Sequence, residues 1–151
     1  MDSFFVKVVF LGAAFVVMAC FRKRIAEYLS KIPLPAWALY FLTAIPLIIV
    51  EEDINCMASW CGTVFIPPTL PYLLIELAIV YVIWRVMKKR NIVPLCIAYC
   101  VFGIVWEMTL GGLRGASLPL PFYAFFVLWV GISYAFVSLL PLTILETGRK
   151  A

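Results

Sequence analysis

Acidic residues inside apolar stretches are the feature of this sequence best suited to carry chemistry. Glu51 and Glu52 end one apolar run, Glu76 lies within the next, and Glu107 follows Trp106 in another. A carboxylate at the centre of a bilayer costs about 2.5–3.5 kcal/mol on insertion scales, so such residues usually face a protein interior and serve a function. We therefore predict catalytic roles for Glu76, Glu107, Glu51 and Glu52.

The depth of these acids in a membrane predicts that they share one site. With a rise of 1.5 Å per residue, Glu76 lies about 13 Å along a helix from Arg85, and Glu107 lies about 24 Å from Asn91. Both residues therefore fall in the middle-to-outer part of the membrane. Glu51 and Glu52 lie at the outer end of the second predicted span, so they are close to the same depth. We expect Glu76 to be the proton donor and Glu107 an ionised stabiliser. Hydrogen bonds between helices, or a solvated cap for the pair, are the structural alternatives.

Polar and aromatic residues at helical spacing are the candidates for binding a substrate. A stripe of small and polar residues at steps of three and four predicts a packed helix face: Cys96, Cys100, Gly103, Glu107, Gly111 and Arg114. Asn55 shares a face with Glu51, four residues earlier. The substrate-binding candidates are Trp106, Tyr72, Tyr134, Asn55 and Arg114.

Composition predicts the elements that position these residues. The chain has 151 residues, of which 66% are hydrophobic and 13% charged, whereas about half are apolar in soluble proteins. A membrane-spanning helix needs about 20 apolar residues, so five spans use nearly the whole chain. We predict an all-α, polytopic integral membrane helix bundle, a single transmembrane domain over residues 1–151, with spans at about 3–21, 35–52, 69–87, 92–111 and 121–145.

The basic residues predict the orientation of the bundle. Ten of the twelve lie in clusters beside apolar runs: Arg22, Lys23, Arg24, Lys31, Arg85, Lys88, Lys89, Arg90, Arg149 and Lys150. Clusters that flank spans mark the cytoplasmic side. We therefore predict five transmembrane helices in the cell membrane, with the N-terminus outside and the C-terminus cytoplasmic, and no nucleic-acid partner.

Absent residue types exclude several kinds of site. The chain has no histidine, which removes serine–histidine hydrolases and histidine-ligated zinc or haem. The oxygens of Glu51, Glu52, Asp53, Asn55 and Glu76 are of the kind that bind Mg²⁺ or Ca²⁺, which remains an alternative. They match no dedicated metal motif, so we predict neither a metal nor a cofactor. Cys56 and Cys61 lie in a loop predicted to be outside, an oxidising setting, and we predict a disulfide between them.

Three functions remain open. The first is an enzyme that acts on an isoprenoid- or sterol-like substrate by carboxylate acid–base catalysis, such as cyclisation or isomerisation. The second is a transporter or channel that uses the acids for cations or protons, for which a homodimer is expected because five spans are few for a carrier. The third is a non-enzymatic membrane subunit or assembly factor.

One resemblance bears on the first function. Glu51-Glu52 after a proline-containing span, with Trp106-Glu107 in the fourth span, is similar to the membrane lycopene-cyclase and terpene-cyclase families over about a dozen positions. Those families place the proline closer to the paired acids than Pro46 lies here. The resemblance implies a small helical bundle with acids at the span ends and a lipophilic substrate.

Overall fold

A computed structural model describes residues 3–55, 66–87, 91–110 and 119–148, without the side chains of residues 3–5 and 66–69. Within these ranges the chain forms helices and no strand. The five helices are α1 (Ser3–Leu29), α2 (Ala36–Asn55), α3 (Ile66–Val86), α4 (Ile92–Thr109) and α5 (Leu120–Thr147). The all-α class and the number of helices are confirmed.

Proline residues and one side-chain cap explain where three of the helices begin. The carbonyl of Pro35 accepts the first hydrogen bonds of α2, and the carbonyl of Pro119 does the same for α5. Proline suits the start of a helix because its missing N–H would have no partner there. At α4, the side chain of Asn91 accepts from the amide of Val93 at 2.9 Å, which is an N-cap.

The first helix is longer than the predicted span. It continues beyond residue 21, through Arg22–Arg24, and ends at Leu29. Residues 22–29 contain good helix formers and neither glycine nor proline, so nothing stops the helix at the charged cluster. Ser30 closes it, because both its amide and its hydroxyl donate to the carbonyl of Ala26.

Helix α5 is the centre of the bundle. It packs extensively against α1, α2 and α4, whereas α3 packs on α2 and more sparsely on α4. Its second half is almost wholly buried from Ser133 to Leu145. Between α2 and α3, the hydroxyl of Tyr40 donates to the carbonyl of Leu77 at 2.9 Å. Helices α1, α2 and α4 are thus placed directly against α5, whereas α3 is held through α2 and α4 and is the most loosely packed.

Two helices, α4 and α5, are long and apolar enough to cross a membrane, judged on the part of the chain that the structure describes. In α2 the apolar run ends at the charged residues Glu51–Asp53. The prediction of five helices is therefore confirmed, whereas the statement that all five cross a membrane remains a proposal.

Candidate functional site

Four polar side chains join α2 to α5, and we call them the α2–α5 polar cluster: Glu51, Asn55, Trp129 and Ser133. The amide nitrogen of Asn55 donates to the carboxylate of Glu51 and, at 3.2 Å, to the hydroxyl oxygen of Ser133. Trp129 Nε1 donates to Asn55 Oδ1 at 2.8 Å. The Ser133 hydroxyl is also close enough to the Glu51 carboxylate to interact with it. The predicted substrate-binding residue Asn55 thus has its amide engaged within the protein.

Helical spacing explains why these four side chains meet. Glu51 and Asn55 are one turn apart on α2, and Trp129 and Ser133 are one turn apart on α5, so each pair projects from one helix face. Glu51 is only 8% exposed and Ser133 only 2%. A buried carboxylate needs such partners because an unsatisfied one would be very costly. This arrangement makes Glu51 a residue that holds α2 and α5 together.

A crevice separates α3 from α4, where the two helices pack least closely. It has a volume of about 190 Å³ and, apart from one carboxyl and one phenol, it is apolar. The residues lining this α3–α4 crevice are Glu76, Ile79, Val80, Ile83, Leu95, Ala98, Tyr99 and Phe102. Ile79, Ile83 and Phe102 are also exposed on the outer surface of the bundle. The crevice therefore opens sideways, through an apolar rim.

Among the described residues, Glu76 is the carboxyl group that lines this crevice. The hydroxyl of Tyr99, on the facing helix α4, donates to Glu76 Oε2 at 3.2 Å. The ring of Tyr99 packs against Tyr134 of α5, with ring centroids 5.0 Å apart, and stacks on Phe102 at 6.4 Å. The phenol that contacts Glu76 therefore packs against two other aromatic rings.

The other predicted catalytic acids lie near this pair. Glu107 is within electrostatic range of Glu51, Glu52 and Glu76. Tyr134 is within electrostatic range of all four acids. Each of the four acids thus interacts electrostatically with Tyr134, and Glu76 is the one among the described residues that lines the crevice.

Close packing of a ring on a glycine holds Tyr134 in this central place. Its ring lies directly over Gly103 of α4, so that a Cβ atom at position 103 would overlap Cγ, Cδ1 and Cδ2 of the ring. Cys96 and Gly103 are both buried, which agrees with the predicted small-residue face of α4. Glycine at 103 therefore allows α5 to approach α4 closely.

The remaining predicted residues are not part of this arrangement. Tyr72 is 67% exposed on the surface of α3. Trp106 is 38% exposed and stacks on Phe102 with ring centroids 6.0 Å apart. Arg114 and the predicted Cys56–Cys61 disulfide lie outside the described residues. No group of three potential metal ligands occurs within the ranges that are described.

Three residues of the site were not identified from the sequence: Tyr99, Trp129 and Ser133. Tyr99 is next to Cys100 of the predicted stripe, and the spacing alone does not decide which of two neighbours faces inward. Trp129 and Ser133 are an i, i+4 pair in a mostly apolar helix. Their helical spacing was the signal that could have identified them, because a serine in an apolar helix often hydrogen-bonds to a neighbouring helix.

No protein-family model, curated protein or solved structure matches this chain. The functional argument therefore rests on the residues of the two sites described above.

Proposed function

We propose that the chain is a membrane-embedded bundle in which all five helices span the cell membrane, with the N-terminus outside and the C-terminus cytoplasmic. Large apolar side chains are exposed on every helix, whereas soluble monomers rarely expose contiguous apolar patches beyond a few hundred Å². Examples are Phe10, Val17, Leu42, Ile49, Ile75, Val82, Ile97, Val101, Phe125 and Leu128. Lipid chains are the solvent that suits such a surface, and the ten clustered basic residues favour this orientation.

Within that bundle, we propose an enzyme that uses Glu76 as a general acid and base on an isoprenoid- or sterol-like substrate. The observation that carries this proposal is the α3–α4 crevice. It combines an apolar lining, an apolar lateral opening and one carboxyl group held by Tyr99. A lipophilic molecule could enter such a crevice directly from the bilayer.

The chemistry is a proton transfer to and from carbon. The carboxylic acid of Glu76 protonates a carbon–carbon double bond, which forms a C–H bond and leaves a cation on the neighbouring carbon. The Glu76 carboxylate, stabilised by the Tyr99 hydroxyl, then removes a proton from an adjacent carbon and re-forms a double bond at a new position. In a cyclisation, a second double bond attacks the cation before this last step. Neither reaction needs an oxidant or a reductant.

Aromatic faces and a nearby charge would stabilise the cationic intermediate. The rings of Tyr99 and Phe102 line the crevice, and an aromatic face attracts a cation. Glu107, within electrostatic range of Glu76, keeps its predicted role as an anionic stabiliser. Glu51 belongs to the α2–α5 polar cluster, and Glu52 interacts electrostatically with Glu51 and Glu107. Neither residue is among those that line the crevice, so the proposed reaction does not require either of them to contact the substrate.

The volume of the crevice limits how large a part of the substrate can lie beside Glu76. A cavity of about 150 Å³ holds a benzene molecule, so about 190 Å³ accommodates one ring or one branched five-carbon unit. The rest of a longer substrate would extend through the opening into the lipid. This favours an internal or terminal alkene of an extended hydrocarbon over a compact polar molecule.

Filling the crevice tests the proposal. Ala98 lines it, so Ala98→Trp should block the site and abolish retention of a lipophilic molecule that purifies with the protein. Ala13→Trp, on the exposed side of α1, is the matched control and should retain that molecule. Native mass spectrometry and lipid analysis of both variants give the readout. A proton or cation flux that depends on Glu76, without chemical change of any lipid, would support a carrier instead.

A further inference from the structure

Two cysteines on α4, Cys96 and Cys100, are one helical turn apart and therefore lie on the same face of the helix. Cys96 Sγ also lies 3.6 Å from the hydroxyl oxygen of Ser138 on α5. Cys96 and Ser138 are buried. Neither cysteine lines the crevice, so the proposed reaction at Glu76 leaves this pair without a role.

The spacing of the pair does not suit a disulfide. Residues four apart on a helix have Cβ atoms about 5–6 Å apart, whereas a disulfide needs about 3.5–4.5 Å. A single ion between two thiolates fits better. With metal–sulfur bonds of about 2.3 Å, as for zinc, a linear sulfur–metal–sulfur unit spans about 4.6 Å. Such a unit can therefore join the two thiols within an intact helix.

The composition of the site selects the class of ion. Two thiolates are soft ligands, which favour Cu⁺ and similar ions. Zinc takes four protein ligands in a structural site, and the part of the chain that is described shows no third cysteine or acid grouped with this pair. The monovalent ions Cu⁺ and Ag⁺, which have a filled d shell, form linear complexes with two ligands. The pair therefore suits these ions and not zinc.

A nearby cation balances the charge of such a complex. Two thiolates and one monovalent ion carry a net charge of −1, which is costly in an apolar interior. Arg22 of α1 is within electrostatic range of Cys96. One of its terminal nitrogens donates to the carbonyl of Ala19 at 2.7 Å, while its Nε is buried and has no hydrogen-bond partner. The guanidinium thus places a positive charge within electrostatic range of Cys96.

We propose that Cys96 and Cys100 form a two-thiolate site for a soft monovalent metal ion, Cu⁺ in the cell, with Arg22 as the balancing charge. Binding replaces the two thiol protons by one ion. In the proposed orientation Arg22 belongs to a cytoplasmic cluster, so the ion would come from the reducing side, where thiols stay reduced.

Metal retention by the full-length protein in detergent tests this site. The parent variant carries Cys20→Ser, Cys56→Ser and Cys61→Ser, so that only Cys96 and Cys100 remain. We expect this parent to retain one Ag⁺ per chain after desalting, as measured by elemental mass spectrometry. The same ratio is expected for Cu⁺ supplied under reducing conditions, with two sulfur neighbours in X-ray absorption spectra.

Single substitutions then separate the proposed site from other modes of binding. Cys96→Ser and Cys100→Ser in the parent should each lower retention at least tenfold while helical content by circular dichroism stays unchanged. Arg22→Gln should weaken binding on the order of tenfold, whereas Arg22→Lys, which keeps the charge, should have a smaller effect. Unchanged retention in either cysteine variant, or no retention by a folded parent, would overturn the proposal.

Discussion

The contact between Tyr134 and Gly103 allows a sharp test of how the candidate site is built. In Gly103→Ala the new methyl group would overlap three atoms of the Tyr134 ring. Tyr134 is only 7% exposed and its ring is packed against Tyr99, so it cannot simply swing aside. Gly131→Ala on α5 is the matched control, because its methyl group would meet only Ile104 Cδ1 at 3.7 Å, an ordinary contact.

The two substitutions should change stability in opposite directions. Replacing a glycine by alanine within a helix favours the helix by up to about 1 kcal/mol, and this is the full effect expected for Gly131→Ala. Overpacking an interior typically costs about 1–3 kcal/mol, so Gly103→Ala should destabilise the bundle by about that amount, less the propensity gain. Activity should also fall in Gly103→Ala, because the displaced ring supports the Tyr99 that contacts Glu76.

Unfolding of both variants by sodium dodecyl sulfate in mixed micelles, followed by circular dichroism, measures these changes. A double-mutant cycle identifies the cause. In a Tyr134→Ala background the ring is gone, so Gly103→Ala should no longer be destabilising. Equal stability of Gly103→Ala and Gly131→Ala, or an undiminished cost in the Tyr134→Ala background, would refute the described approach of α5 to α4.

Three further predictions concern orientation, oxidation and the polar cluster. Single cysteines introduced at Lys89 and Ser117 should be labelled from opposite sides of the membrane by an impermeant maleimide, and labelling of both from one side would contradict the five-span bundle. Cys56 and Cys61 should be joined, so reduction should add two hydrogens to the peptide that contains them, whereas two free thiols without reductant would contradict the pairing. Asn55→Ala removes three polar contacts of the α2–α5 polar cluster and should cost about 1–2 kcal/mol in detergent unfolding, whereas no loss would show that these contacts contribute nothing.

The positions of the helices along the chain could largely be predicted from the sequence. The predicted fourth span at 92–111 agrees with Ile92–Thr109, and the fifth at 121–145 with Leu120–Thr147. In both cases proline or a polar cap precedes a long apolar run, so the start is locally determined. The end of α1 was less predictable because charged residues do not stop a helix. Charged residues mark where α1 would leave the membrane, but the helix itself continues into the aqueous phase.

The rotation of each helix was harder to predict than its position. The polar stripe on α4 placed Cys96 and Gly103 inward, yet Tyr99, which lies between them, also faces inward and provides the contact to Glu76. Asn55 was predicted to bind substrate, but its amide is used by three neighbours on α2 and α5. Such assignments depend on which helix lies opposite, and the pattern of one helix alone does not contain that information.

The central claim is that Glu76 transfers a proton to a carbon atom of a lipophilic molecule in the α3–α4 crevice. Its most direct test is incorporation of deuterium from heavy water into the neutral lipids of membranes that contain the protein, followed by mass spectrometry. We predict deuterium at carbon positions that do not exchange spontaneously, and none above background with Glu76→Gln, which keeps the shape of the side chain. Glu146→Gln, at the far end of α5, should behave as the wild type. Incorporation that is equal in the wild type and Glu76→Gln, or absent from both, would contradict the proposed function.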